Sequence, residues 1–191
     1  MNSLDQRIEH IVHWLQSHVA KTKANGLLVG ISGGVDSAVV AFLIKRAFPD
    51  RSLGVIMPCH SNPKDEDDAL KVVKACGIDH MNIDLSKTHD ILLGTVLAQL
   101  KRKEDSITGV ARLVDGNLRA RLRMAALYTV ANHYNYLVVG TDNAAEMYTG
   151  YFTKYGDGGV DLLPLARLLK REVYRFAEHL GVPKSVLERP P

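Results

Sequence analysis

The sequence predicts an α/β fold: a doubly wound, mostly parallel sheet with helices on both faces. Short apolar runs of strand length recur at Leu27-Leu28-Val29, Leu53-Gly54-Val55-Ile56-Met57, Met81-Asn82-Ile83-Asp84-Leu85 and Tyr136-Leu137-Val138-Val139-Gly140-Thr141. Helical patterns separate them, as parallel strands require. Two of the runs end in turns that open helices, Gly30-Ile31-Ser32-Gly33-Gly34-Val35-Asp36-Ser37 and Gly140-Thr141-Asp142-Asn143-Ala144-Ala145-Glu146. Open α/β sheets bind ligands at such strand ends, beside the point where strand order reverses.

A chain of 191 residues is expected to form one domain, 1–191, with ample material for a core. Its 24 Lys and Arg against 21 Asp and Glu leave a net charge of +3. That balance is weak ground for a nucleic-acid partner but suits a polyanionic small substrate. No run reaches membrane-span length and no signal-peptide pattern opens the chain, so no membrane partner is expected. Cys59 and Cys76 lack metal-ligand spacing and imply no disulfide framework, which fits a cytoplasmic protein.

Residues 4–20 read as an amphipathic helix, with Leu4, Ile8, Ile11, Val12 and Leu15 on one side. Its His10, His13 and His18 have no acidic or Cys partner at ligand spacing, so solvated or packing roles are expected. Asn25-Gly26 ends that segment before the first strand. The helix after the first strand, Ala38 to Lys45, is apolar on most sides and is expected to be buried. Pro58 ends the second strand. Asn62-Pro63 then starts a helix, Asn as N-cap and Pro at the first position. Asp65, Glu66, Asp67 and Asp68 fill its first turn, where carboxylates complement the helix dipole. Gly77 closes it.

Residues 88–101 are helical and apolar almost all round, which predicts burial on more than one side. Residues 102–109 are expected to form a loop. A long helix follows from about Val110 to His133, on which Arg119 and Arg123 share a face while Arg121 points the other way. Residues 149–161, with four glycines among aromatics, read as a binding loop. Leu162-Leu163-Pro164-Leu165 is a short extended segment, and residues 167–180 form the last clear helix, closed by Gly181.

The turn at 30–37 carries the chemistry. Gly33 and Gly34 let backbone N–H groups converge, the following helix aims its positive end at the same point, and Ser32 and Ser37 add hydroxyls. This is a phosphate cradle. A P-loop would need Lys before the Ser, and here stands Asp36; a dinucleotide fingerprint would need Gly where Ser32 stands. An acid beside a phosphate nest calls for a divalent cation between them, so Asp36 implies Mg²⁺. SGGVDS resembles the signature loop of the ATP pyrophosphatases, which split ATP between its α and β phosphates.

Further along, the likeness narrows. GISGGVDS, GNLRARLRM, GTDNAAE, TGYFTKYGDGG, VDLLPL and the RPP ending together resemble the ammonia-dependent NAD synthetases, from Gly30 to Pro191. The resemblance implies an adenine nucleotide α-hydrolase-like fold and amidation of deamido-NAD by ammonia at the expense of ATP. Together with the apolar surface of helix 88–101 and the long helix bearing Arg121, more than one small domain would bury, it suggests a homodimer with helices packed across a two-fold axis. It implies ATP binding by Gly30, Ile31, Ser32, Gly33, Gly34, Val35, Asp36, Ser37, Thr141 and Lys170. Asp36 and Glu146 would hold Mg²⁺. Arg121, Lys154 and Asp161 would bind deamido-NAD. No side chain is needed as a nucleophile, and Asp36 and Lys170 act electrostatically.

Only about 26 residues precede the first strand, too few for a glutaminase domain, so ammonia is expected free or from another protein. The family's further C-terminal segment, with a Thr or Ser and a His-Lys pair, is expected beyond Pro191. Two other readings stay open on the sequence. One is another ATP pyrophosphatase, such as a GMP-synthetase-like amidase or a tRNA-modifying adenylating enzyme. The other is a catalytically silent nucleotide-binding module.

Overall fold

The computed structural model describes residues 3–100 and 108–189. Among them the elements run α1 (Leu4–Thr22), β1 (Gly26–Gly30), α2 (Val35–Ala47), β2 (Ser52–Ile56), α3 (Pro63–Cys76), β3 (Asp79–Asn82), α4 (Ser86–Gln99), α5 (Thr108–Tyr134), β4 (Tyr136–Val139), α6 (Ala144–Thr149), α7 (Lys170–Leu180) and α8 (Lys184–Leu187). The strands pair in parallel in the order β3-β2-β1-β4. The chain therefore winds outward one way through β2 and β3, then returns to the other side of β1 with β4. The order reverses between β1 and β4, so the loops after these two strands flank the switch point.

Strand alternation splits the core into two layers. Leu27, Val29, Ile56 and Val139 pack with α1, α2, α3, α7 and α8, around Ile8, Leu15, Leu43, Ile44 and Phe176, all fully buried or nearly so. Leu28, Val55 and Val138 face the other way, against Ala131, Leu122 and Leu127 of α5. The capping signals hold: Asn62 caps α3 by accepting from the Lys64 N–H at 3.0 Å, and Gly77 follows in the left-handed conformation, φ 67°.

Three expectations need correction. The third strand lies at Asp79–Asn82 rather than 81–85. Pairing starts at Asp79↔Leu53 because the αL Gly77 turns the chain early, and Asp84 accepts from the Ser86 N–H at 2.8 Å, bending it into α4. The helix expected over 167–180 starts at Lys170 because residues 164–167 are turns and the Glu172 carboxylate caps the Leu169 N–H at 2.8 Å, and a short α8 follows it. The helix expected over 88–101, found at Ser86–Gln99, is not buried on several sides. Among the residues of α4 only His89 is buried, while Ile91 is 60% and Leu97 56% exposed, because α4 packs mainly on α5 and touches the loop after β2 only at its start. The loop expected at 102–109 lies, through residue 107, outside the described residues; Thr108 and Gly109 belong to α5.

Candidate active site

The turn expected to cradle phosphate runs from β1 into α2. Gly34 is the N-cap and α2 has no side-chain cap, so the first amides of the helix remain directed at the turn. Gly33 has φ +81°, and a Cβ there would stand 2.5 Å from the Asp65 carbonyl oxygen, so glycine is required both for the bend and for docking on α3. Ser37 Oγ donates to the Gly34 carbonyl (2.9 Å) and accepts from the Ser32 N–H (3.2 Å), and Ser32 Oγ stands 3.1 Å from it. The two hydroxyls, expected as ligand donors, brace the turn itself. The helix amides are the donors aimed outward.

The turn after β4 stands opposite. Asn143 caps α6: its side chain accepts from the Ala145 and Glu146 N–H groups, and its own N–H donates to Glu146 Oε2 at 2.9 Å. Asn143 Nδ2 also donates to Asp36 Oδ1 across the switch point, at 3.1 Å. Lys170, at the first position of α7, pairs with Asp36 Oδ2. Asp36 and Lys170 thus hold each other where the sequence assigns one to a cation and the other to a phosphate.

Asp36, Asp142, Glu146 and Asp157 line one small recess of about 240 Å³. Asp142 is buried and its Oδ2 has no hydrogen-bond partner. Burial first, then the like charges of Asp157, Glu146 and Asp36, push its pKa up to about 7. A crowd of carboxylates next to a phosphate cradle, one of them orphaned, is a hard-oxygen donor set of the kind that accepts Mg²⁺.

The recess opens beside a larger cavity of about 840 Å³ between the strand ends and α5, in the range of nucleotide-sized sites. Gly30, Ile31, Ser32, Gly34, Val35, Asp36 and Ser37 line it from one side, with Thr141, Glu146 and Lys170 from the other. The segment 149–161, expected to be a binding loop, supplies Tyr151, Gly156 and Asp157 to the wall. Arg121, Lys154 and Asp161 do not line it. Arg121 is exposed and its Nε donates to the Lys154 carbonyl at 3.2 Å. Asp161 accepts from the Val138 N–H (2.8 Å) and the Tyr128 hydroxyl (3.0 Å); burial first, then the bond to Asp161, pushes the Tyr128 phenol up to about 12.

Arg123 is a wall residue that sequence reasoning missed. Its Nε donates to the Met57 carbonyl (3.1 Å) and its Nη2 to Ser61 Oγ (3.3 Å), and it faces the cavity. Arg119 holds the same loop through the Cys59 carbonyl at 3.1 Å. The shared face of Arg119 and Arg123 was the available signal; its target, a loop some sixty residues earlier, was not visible. Asp142 and Asp157 were missed as well, although each stands inside a motif singled out on the sequence. Burial pushes both thiols up, Cys76 to about 11 and Cys59 above its usual value, so neither is poised as a thiolate.

A family model described as NAD synthase matches residues 7–191. This chain belongs to the NAD synthase family. The NH(3)-dependent NAD(+) synthetase of Alkaliphilus oremlandii is 57% identical over 189 residues, 99% of this chain and 76% of that protein. The protein of the same name from Carboxydothermus hydrogenoformans is 44% identical over 98% of this chain and 74% of its own length. Among solved structures, the NMN synthetase from Francisella tularensis superposes with a TM-score of 0.89 at 36% identity, covering all of this chain and 76% of its own. The NH3-dependent NAD synthetase from Campylobacter jejuni does so with 0.86 at 29% identity, covering 98% and 77%. These structural neighbours share the fold, and the α/β fold expected from sequence stands. No described helix is long and apolar enough to cross a membrane.

Proposed function

We propose that this NAD synthase converts deamido-NAD to NAD in two steps, using ATP and ammonia. A nicotinate carboxylate oxygen attacks the α-phosphorus of ATP and pyrophosphate leaves. Ammonia then attacks the acyl carbon, the carbon–oxygen bond to AMP breaks, and NAD and AMP are released. The observation that carries this reading is that the SGGVDS turn, which lacks a P-loop lysine, shares one cavity with Thr141, Glu146 and Lys170.

The α2 amides would take phosphate oxygens, and Lys170 would exchange Asp36 for the triphosphate. Asp36 and Glu146 would hold Mg²⁺, which supplies charge neutralisation across the phosphates. Lys170 would have to leave Asp36 for both assignments to operate, so loading the site exchanges one ion pair for two charge-assisted contacts. Arg121, Lys154 and Asp161 would receive deamido-NAD. Arg121 and Tyr128, the partner of Asp161, are seven residues apart on one side of α5. Nothing in the chemistry demands a protein nucleophile; placing the two reactants and stabilising the phosphate charge suffice. We assign the enzyme to a homodimer, supported by the apolar strip that α4 and α5 leave uncovered.

The test is a product balance with ATP, Mg²⁺ and ammonium. NAD, AMP and pyrophosphate are expected in equal amounts from deamido-NAD. ADP and phosphate as products would overturn the reading. The Francisella structure is of an NMN synthetase, so nicotinate mononucleotide belongs in the same assay. A higher kcat/KM with the mononucleotide would move the substrate assignment while leaving the chemistry.

A further inference from the structure

Outside the nucleotide cavity, the loop after β2 meets the start of α4 in a cluster of His60, His89 and Asp90. One imidazole nitrogen of each histidine and one oxygen of Asp90 lie within 4.8 Å of one another. We propose that these three side chains bind a first-row transition-metal cation, Zn²⁺ being the reference case.

The spacing supports it. Two donors on one tetrahedral Zn²⁺, each at about 2.0–2.1 Å, stand roughly 3.3 Å apart. His89 Nδ1 is 3.4 Å from Asp90 Oδ1, so that edge is already at the required length. His60 Nε2 is 2.7 Å from the same oxygen, a hydrogen-bond distance that need open only by about half an ångström. Two nitrogens and one oxygen suit Zn²⁺ and its neighbours, whereas Mg²⁺ takes the all-oxygen set around Asp36.

His89 is the decisive residue. It is 3% exposed, and its Nε2 has no well-aligned hydrogen bond although Asp115 Oδ1 stands 2.9 Å away. A histidine that ligates through Nδ1 must carry its proton on Nε2 and usually gives it to a carboxylate. Asp115 is the carboxylate within reach of that proton, and its other oxygen is fixed by Arg119 Nη2 at 2.8 Å. A plain His60–Asp90 ion pair would need neither His89 nor Asp115.

His60 is presented deliberately. It has φ +51°, uncommon for a non-glycine residue, with its N–H donated to Ser86 Oγ at 3.1 Å and its carbonyl accepting from Arg119 at 3.4 Å. Three protein ligands, two of them solvent-exposed, leave a fourth position for water or an outside donor. Pro58 and Ser61 of the same loop line the nucleotide cavity, so the ion would clamp that wall to α4.

The test uses the tag-free full chain, stripped with chelator and titrated with Zn²⁺ against a chromophoric zinc indicator in millimolar Mg²⁺. One equivalent is expected to bind, with intense visible bands on Co²⁺ substitution. His60→Gln and Asp90→Asn, both at exposed positions, should each weaken binding at least 100-fold and abolish the Co²⁺ bands. Asp115→Asn should weaken it 10- to 100-fold. Circular dichroism and melting of the metal-free variants confirm that they fold. Absence of saturable binding overturns the proposal. So does an affinity unchanged in the folded His60→Gln/Asp90→Asn double variant, which would mark any bound ion as adventitious.

Discussion

Asp142 is the side chain whose charge the fold disfavours most plainly. It is buried, one oxygen is unpaired, and Asp157, Glu146 and Asp36 surround it. Its pKa, about 7 when folded, lies above the ordinary carboxyl value, so the folded state binds the proton more tightly than the unfolded chain. The sign follows. Between the unfolded pKa near 4 and the folded value, stability falls as pH rises, and the cost is complete above about 7. Asp142→Asn removes the charge but keeps the shape. It should stabilise the ligand-free protein by about 1–3 kcal/mol at pH 8, and by clearly less at pH 5. Urea midpoints at the two pH values decide; an equal shift at both would mean that Asp142 is not ionising within the fold.

At the scale of elements, the cradle works because α2 and α3 dock through it. Gly33 is the hinge of that contact, with φ +81° and no room for a Cβ against the Asp65 carbonyl. Gly34 differs: its negative φ and a nearest approach of 3.4 Å to Ser32 Oγ leave space for a methyl. Gly33→Ala should therefore cost at least about 1–2 kcal/mol from the backbone alone, with the overlap added, while Gly34→Ala should leave stability nearly unchanged. Equal urea midpoints for the two variants would refute the docking argument.

The same elements explain what could be read from sequence. Asn62-Pro63, Gly77 and Gly181 are local signals, and the helix ends they mark fell in place. Asp36 was legible from its place in the turn after β1, whereas Thr141, Glu146 and Lys170 were reached only through the family resemblance; all four line one cavity. Arg123 was not legible, since its role depends on the loop at 57–61 packing on α5. The third strand slipped because Ile83 and Leu85, apolar and still bonded to the β2 edge through the Ile56 and Pro58 carbonyls, look like its centre. The pairing registers two residues earlier, on polar Asp79 and His80 at an exposed edge.

For the whole molecule, the exposure of α4 in a single chain bears on assembly. Its apolar positions are real, yet most of them stay exposed among the described residues. Ile91, Leu92, Val96, Leu97 and Leu100 remain exposed, and Leu113 (63%) and Val114 of α5, the helix α4 packs on, do likewise. A contiguous apolar strip of this kind marks an interaction surface. Fully burying each leucine is worth up to about 1.5–3 kcal/mol, enough in sum to outweigh the cost of association. A second copy of the chain is the partner we assign, because a two-fold axis lets one strip cover another. Sedimentation at micromolar concentration should give a dimer for the unmodified protein. Leu97→Asp with Leu113→Asp should give a folded monomer, since both side chains are exposed in the single chain and their removal opens no core. Charge on the strip would then separate assembly from folding. A monomeric unmodified protein, or a double variant that still dimerises, would place the contact elsewhere or dismiss it.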